Sequence, residues 1–525
     1  LKRRLAFLIH IAVLLGAAIA CSQSSSPPII YVTATPPTVE TVLPTVGGNL
    51  FQPTVTPKGP TATPLVPTPN ATRPPSTRTL SYTVKAGDNL AALAILYGTT
   101  VQEIARLNPG LNESGTLTPN QTLNLPETPS QFSPAFKIIP DSELVNSPGA
   151  RGFDVVQFVN FQPGFLRVYS EFVQGRLLTG AQIIQVVAQQ NSINPRLLLA
   201  MLEFKAGWIT NPAPGGNKLN YPMGNIVEAR KGLFRQLAWA ADWLNDGYYG
   251  WKHRGLTALQ FPDGTRIAFN SQLNAGSVAI QYFLGQTADR NTWSREISGN
   301  GFFGTYLALF GDPFRYAIEP LVPPNLVSPT MQLPFAQGET WFYTGGPHGG
   351  WDAASGWAGI DFAPPAPPDE LIALQGACYI SPNFAVATMP GVIVRSGDGA
   401  VVLDQDLDGD ERTGWTVLYL HIAASESVRA GKVVAAGEKI GHPSCEGFNL
   451  NAVATHLHIA RRYNGEWIAA GCWACQPDFP AISWTLSDWR VTGLPDQIFQ
   501  GTMVKDGVIR RAEQGRDQID NQISW

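Results

Sequence analysis

Apolar and polar positions divide the chain into stretches of different kinds. Lys2-Arg3-Arg4 precedes an apolar run from Leu5 to Ala20. A basic cluster ahead of a short apolar run is the pattern of an export signal, and the run is too short for a good permanent span. From Pro27 to Thr79 the periodicity vanishes into proline, threonine and small polar residues. Such a stretch buries no core, and in extended polyproline form it would reach on the order of 150 Å at about 3.1 Å per residue. Periodicity returns at Ser81. Tyr82-Thr83-Val84 alternates like a strand, and Gly87 to Leu90 turns the chain into a helix with Leu90, Leu93, Ala94 and Tyr97 on one face. Gly98 ends that helix, Val101, Ile104 and Leu107 mark a second, and Leu117 to Leu125 reads as a returning strand. Residues 81–126 are thus predicted to be a small βααβ module.

The pattern from 133 to 334 is mostly helical. Thr179 is placed to cap a helix carrying Ile183, Ile184, Val186 and Val187, and Asn194-Pro195 opens another that runs to Trp208. Further apolar helices are predicted around Phe234 to Leu244 and Ala275 to Leu284. From about 335 the chain changes to short β-branched runs separated by glycine turns, the signature of an antiparallel all-β domain extending to about 495. Residues 496–525 are left as a C-terminal extension. The prediction is therefore a multidomain chain: signal 1–21, linker 22–80, βααβ module 81–126, helical domain 133–334 and β domain 335–495.

Length supports that division, because 525 residues exceed what one core holds. The formal charge of −4 gives no reason to expect nucleic acid as a partner. Only 14% of residues are charged, whereas 43 prolines, 51 glycines and 14 tryptophans suit a loop-rich extracellular protein with aromatic contact surfaces. The five cysteines are an odd number. In an exported chain Cys378–Cys445 and Cys472–Cys475 are the expected disulfides, and Cys21 remains over. Ala18-Ile19-Ala20-Cys21 resembles a lipoprotein cleavage box, with Ala18 where a leucine is usual. That resemblance implies lipid attachment at Cys21 and anchorage to a membrane; the rival expectation is simple secretion.

Residues 81–126 resemble a LysM domain over their whole length, on YTVKAGDNL, YGTTVQEIARLN and LTPNQTLNLP. The resemblance implies binding of N-acetylglucosamine-containing glycans such as peptidoglycan. The site would lie between the first turn (Gly87, Asp88, Asn89, Leu90) and the loop after the second helix (Asn108, Pro109). Over Pro195–Trp208 the helical domain shows a short resemblance to the lysozyme-like lytic transglycosylases. Their catalytic glutamate falls on Lys205 and the following serine on Ala206. A lysine cannot act as a raised-pKa carboxylic acid, and Glu203 lies about 200° away around the helix. This region is therefore expected to lack glycosidic activity and to serve as a spacer or a glycan groove. His253 is expected at the surface.

The β domain carries the chemistry. In Thr455-His456-Leu457-His458 the two histidines of a strand point to one face, roughly 6.5–7 Å apart, so one can hold a metal while the other faces the same substrate. Residues 341–490 resemble the lysostaphin-type zinc metallopeptidases on GIDFAPP, PGVIV, LYLHIA, VAAGEKIGH and THLHIA, in that order. The resemblance implies zinc ligation by Asp361 and His458, with His421 and His456 as the catalytic pair. Two imidazoles and one carboxylate leave a tetrahedral zinc with one open position, the arrangement of a hydrolytic centre. The first ligand is normally four residues before the aspartate, and there stands Trp357. His348 must supply the imidazole, although His348-Gly-Gly-Trp-Asp352 also spells the motif. We expect His348 with Asp361, because Asp361 ends an apolar strand that fixes its geometry. The chain between them is expected to bulge and set Trp351 or Trp357 on a substrate groove, and Tyr419 is expected to share a face with His421.

Asp404, Asp406 and Asp408, followed by Gly409, resemble the front of a calcium loop, although position twelve is Trp415. A solvated hairpin tip is the plainer expectation. The whole reads as an exported, peptidoglycan-binding zinc endopeptidase that cuts peptide stems or cross-bridges. The competing reading is a non-catalytic wall-binding or regulatory protein with a degenerate metallopeptidase fold, for which Trp357 is the best support.

Overall fold

The computed structural model describes residues 79–525 except 86, 112–115, 127–131, 448–451, 473, 476–478 and 517–518. The export signal, Cys21 and nearly all of the linker lie outside the described residues. No helix among the described residues is long and apolar enough to cross a membrane.

The first module is β1 (Thr79–Thr83), α1 (Leu90–Leu96), α2 (Val101–Leu107) and β2 (Thr122–Pro126), with the strands antiparallel. Leu90, Leu93 and Ile104 from the helices close its own core with Val84, Leu117, Leu123 and Leu125. Thr100 caps α2 by accepting from the Glu103 amide. The returning strand is shorter than the apolar run from Leu117 predicts. Asn120 adopts a positive φ of 69° and the Gln121 amide bonds back to Thr118, so a turn interrupts the run.

The helical domain is built on α3 (Gly180–Asn191), α4 (Pro195–Ala206), α5 (Leu233–His253) and α6 (Ala275–Gly285). Thr179 and Gln182 form a reciprocal capping box on α3. Asn194 caps α4 by accepting from the Arg196 amide, with Pro195 in the first turn where its missing N–H costs nothing. Pro195 through Leu202 are all buried, which makes α4 the central helix. Helix α5 runs well past the expected Leu244, because its C-terminal half packs against α6 on one side and the β domain on the other.

The β domain is a nine-stranded antiparallel sheet. Its strands are β3 (Thr340–His348), β4 (Gly359–Ala363), β5 (Gly391–Gly397), β6 (Ala400–Asp404), β7 (Trp415–Leu420), β8 (Val433–Val434), β9 (Leu457–Tyr463), Glu466–Trp467 beside β9, and an edge strand near the C-terminus. A smaller sheet holds β10 (Thr485–Leu486), β11 (Trp489–Leu494), β12 (Gln497–Lys505) and β13 (Val508–Arg511); the edge strand is β14 (Gln522–Ser524). The large sheet runs β8-β5-β6-β7-β9-β4-β3-β14. Residues 496–525 are thus no appendage: they supply β12, β13 and the edge strand that pairs with β3. Cys378–Cys445 and Cys472–Cys475 are both disulfide-bonded.

Alternation along the central strands sorts the sheet into two faces. Ile360, Phe362, Val417, Tyr419, Leu457 and Ile459 fill the core of the β domain itself. Val402, Leu418, Leu420 and Ala460 point the other way and join the core of the helical domain. The helical domain is therefore not a spacer but the second layer of the sheet. Polar contacts stitch the seam: buried Lys252 pairs with Glu466, which also accepts from Tyr248 Oη at 3.0 Å. Trp467 Nε1 donates to Asn191 O at 3.2 Å, and Asp242 accepts from the Ala354 amide at 3.0 Å.

Candidate metal centre

Four adjacent strands deliver the site. Asp361 on β4 stands opposite His458 on β9, and His458 is opposite Leu420 at the end of β7. His348 ends β3, opposite Gly359. Asp361 and His458 share the parity of Leu418 and Ala460, so the site lies on the face that the helical domain covers farther along.

His348 Nε2, His458 Nδ1 and Asp361 Oδ1 converge. The two nitrogens are 3.0 Å apart, and they lie 3.3 and 3.0 Å from the carboxylate oxygen. The edges of a tetrahedron around zinc with arms of about 2.0–2.1 Å measure about 3.3 Å. The far nitrogen of each ring fixes its tautomer. His348 Nδ1 lies 2.8 Å from Gly346 O, and His458 Nε2 lies 3.0 Å from Gly350 O. A carbonyl only accepts, so each far nitrogen carries the proton and each near nitrogen turns a lone pair toward the carboxylate. Two lone pairs and a carboxylate oxygen packed together favour a positive charge among them, a proton or a metal ion, and the donor set is one that zinc takes. Glycines make the approach possible: a Cβ at Gly359 would strike the His458 ring, and one at Gly345 would strike the Asp361 carboxylate.

Electrostatics follow. Burial alone would lower the His348 pKa, but the Asp361 charge beside it raises it. Burial alone would raise the Asp361 carboxyl, yet with His348 protonated its charge, together with the contacts of both imidazoles, holds it well below the usual range. Burial lowers His458. Beside these groups, the rings of His421 and His456 lie 4.4 Å apart. His421 Nδ1 is 3.0 Å from Glu446 O and His456 Nδ1 is 2.8 Å from Ala454 O. The same reasoning puts the proton of each on Nδ1 and the lone pair on Nε2. Burial, with His456 and His458 nearby, takes His421 down to about 3.

Three expectations are corrected here. Tyr419 does not share a face with His421: it is buried in the core of the β domain, with its hydroxyl on Thr388. His421 follows the strand end in a left-handed conformation, φ 66°, which breaks the alternation and turns its ring to His456. Trp351 and Trp357 do not line a groove. Both are buried, Trp351 in the core shared with the helical domain and Trp357 beneath the Arg254 guanidinium. The chain between the ligands is thus a docking loop for the helical domain. An aromatic beside the candidate ligands is Phe499, which stacks on His348 at 4.3 Å between ring centroids and is 45% exposed. No local pattern signals it, because only tertiary folding brings β12 to β3. His253, expected at the surface, is stacked on Tyr249 with Nδ1 3.6 Å from Cys475 Sγ, and burial takes its pKa down to about 3.

Asp352 is not among the converging ligands. Burial, with Asp242 close by, pushes its carboxyl up to about 7. In the first module, Gly87 has φ 93°, Leu90 is core, and Pro109 follows α2 in the loop. Asp88 accepts from Tyr82 Oη and the Lys85 amide, each at 2.7 Å. Asn89 accepts from the Ala92 amide, while Asn108 bonds both the N–H and the carbonyl of Asn124. Each of these side chains thus holds part of the module's own fold. In the helical domain Glu203 accepts from the Ile209 and Thr210 amides and fastens the turn after α4. Lys205 reaches Thr287 and Glu296.

Two stretches of the chain match the models of known families. Residues 82–126 match the model of the LysM domain, and residues 137–324 match that of the LasA N-terminal domain. The helical region thus matches a family other than the one that Pro195–Trp208 resembles. No curated protein matches the chain. Similar solved structures include pseudoalterin, a novel M23 metalloprotease from the deep sea, at 18% identity over 35% of this chain and 96% of that one, TM-score 0.26. The catalytic domain of lysostaphin from Staphylococcus simulans is similar at 23% identity over 25% and 86%, TM-score 0.17. A putative M23 peptidase from Pseudomonas aeruginosa is similar at 21% identity over 28% and 51%, TM-score 0.18. The chain is modular: a LysM domain, a helical region that matches the LasA N-terminal domain, and an antiparallel sheet domain.

Proposed function

We propose that this chain is an exported zinc endopeptidase of the bacterial cell wall, anchored through Cys21 or secreted, that grips peptidoglycan by its LysM domain and hydrolyses peptide stems or cross-bridges. The observation that carries this reading is the convergence of His348, Asp361 and His458 beside the His421–His456 pair, with tautomers set by backbone carbonyls. Zinc, held by His348, Asp361 and His458, would supply Lewis acidity there. His421 and His456 each carry the lone pair on Nε2, so one can take a proton from the attacking water. The other, once protonated, can donate to the developing oxyanion. Phe499 is placed to wall the substrate against the ligands, and the helical domain bounds the same face of the sheet.

The test uses the zinc-loaded full chain on purified peptidoglycan. New free amino groups should appear without new reducing ends, stop with a chelator and resume with zinc. A folded protein that takes up zinc yet releases neither would support the wall-binding, non-catalytic reading instead. Excising residues 81–126 should lower retention on insoluble peptidoglycan at least about tenfold, a contribution of about 1.4 kcal/mol or more. It should spare cleavage of small soluble fragments. Unchanged retention would make the helical domain the anchor.

A further inference from the structure

We infer that the loop from Asp404 to Thr413 is a second cation site, taking calcium, and that the ion braces the seam between the helical domain and the sheet. Asp404, Asp406 and Asp408 bring carboxylate oxygens within 4.8 Å of one another. An acidic cluster by itself means little, since exposed carboxylates gather at many hairpin tips. Asp404 is different: it is 0% exposed. Its Oδ2 accepts from the Gly409 amide at 3.1 Å, while its Oδ1 is buried with no hydrogen-bond partner among the described residues. A buried carboxylate oxygen without a donor is costly to ionise: burial, with Asp406 and Asp408 beside it, pushes the Asp404 carboxyl up to about 7, and a cation held among the three carboxylates would relieve that cost.

The nearby cations are engaged elsewhere. Arg395 and Arg462 both pair with Glu411, at 3.0 and 2.7 Å. Arg412 pairs with Asp410 at 2.7 Å. Arg151, from the helical domain, reaches Asp410 at 2.9 Å and the outer oxygen of Asp408 at 3.2 Å. None of these ion pairs includes Asp404 or Asp406. The remaining carboxylates are held in place by the loop's own amides: the Asp408 amide donates to Asp406 at 3.2 Å and the Asp410 amide to Asp408 at 2.9 Å. A set made only of oxygen donors, with neither imidazole nor thiolate, selects a hard cation, and an irregular loop suits the flexible coordination of calcium better than the strict octahedron of magnesium.

Position matters as much as chemistry. The same loop carries Asp408 and Asp410 to Arg151, and Arg412 Nη1 donates to Ala150 O at 3.2 Å. An ion at Asp404 would therefore hold the loop in the shape that clamps the helical domain. With three carboxylates and Trp415 at the twelfth position, affinity should fall in the extracellular range, a dissociation constant of about 10⁻⁴–10⁻³ M.

The experiment uses the zinc-loaded full chain, so that the catalytic donors are occupied. Terbium should give luminescence sensitised through Trp415, whose carbonyl accepts from the Gln405 amide at 3.0 Å. Calcium at millimolar concentration should displace it. Calcium about tenfold above its dissociation constant should raise Tm by roughly 2–4 °C. Both effects should vanish in Asp404→Asn. Because Asp404 is buried and that variant could misfold, exposed Asp406→Asn is the second arm, expected to weaken binding about tenfold or more while zinc content stays unchanged. Sensitised emission equal in wild type and Asp406→Asn, or no calcium-dependent shift of Tm, would overturn the proposal.

Discussion

Replacing His348 or Asp361 with alanine should strip zinc from the protein, whereas Asp352→Ala should keep it. Each of the first two removes one of three converging donors; the third removes a carboxyl that faces Asp242 rather than the ligands. Loss of even a supporting partner behind a ligand costs about 10–100-fold in affinity, so loss of a ligand should exceed that. Metal analysis after dialysis decides the matter. Asp352→Ala should fold at least as well as the parent, since it relieves a like-charge contact in a buried place. Zinc retained in Asp361→Ala but lost in Asp352→Ala would show that His348-Gly-Gly-Trp-Asp352 is the working motif. The strand argument for Asp361 would then fail.

Lys252→Met should destabilise the folded chain by about 3–5 kcal/mol, as breaking one side of a buried pair leaves Glu466 charged and uncompensated. Both groups are almost wholly buried, and Glu466 also anchors Tyr248. The double variant Lys252→Met with Glu466→Leu should recover most of the loss, because an apolar pair avoids the desolvation penalty. Denaturant unfolding of both, followed at tryptophan, measures it. A single variant within about 1 kcal/mol of the parent would mean that water reaches the seam and that the pair behaves like an exposed one.

Much of this architecture was legible in the chain, and the reasons for success and failure are local. Thr179 and Asn194-Pro195 were readable as helix starts because a cap depends on a few neighbouring residues. The partnership of Asp361 with His458 was legible only through the family resemblance of GIDFAPP and THLHIA; strand alternation then accounts for their sharing one face. The same rule failed at Tyr419, since one left-handed residue, His421, resets the parity and nothing nearby announces it. Trp351 and Trp357 were read as groove aromatics because the sequence does not show that a helical layer lies over them. Phe499 was missed altogether, for its partner His348 is distant in the chain and no spacing rule links them. In the LysM module the polar residues were visible, but not that Asp88, Asn89 and Asn108 each bond to amides of the module itself.

The apolar outer face of the sheet has a consequence for descent. Val402, Leu418, Leu420 and Ala460 are covered by the helical layer in this chain. A recombination event that carried the sheet into another gene without residues 137–324 would deliver that patch bare, and exposed apolar patches invite aggregation. The two layers should therefore travel together, and substitutions on one side of the seam should be answered on the other. The LysM module has a closed core of its own. It is free to be gained, lost or duplicated along a lineage while the pair behind it stays intact.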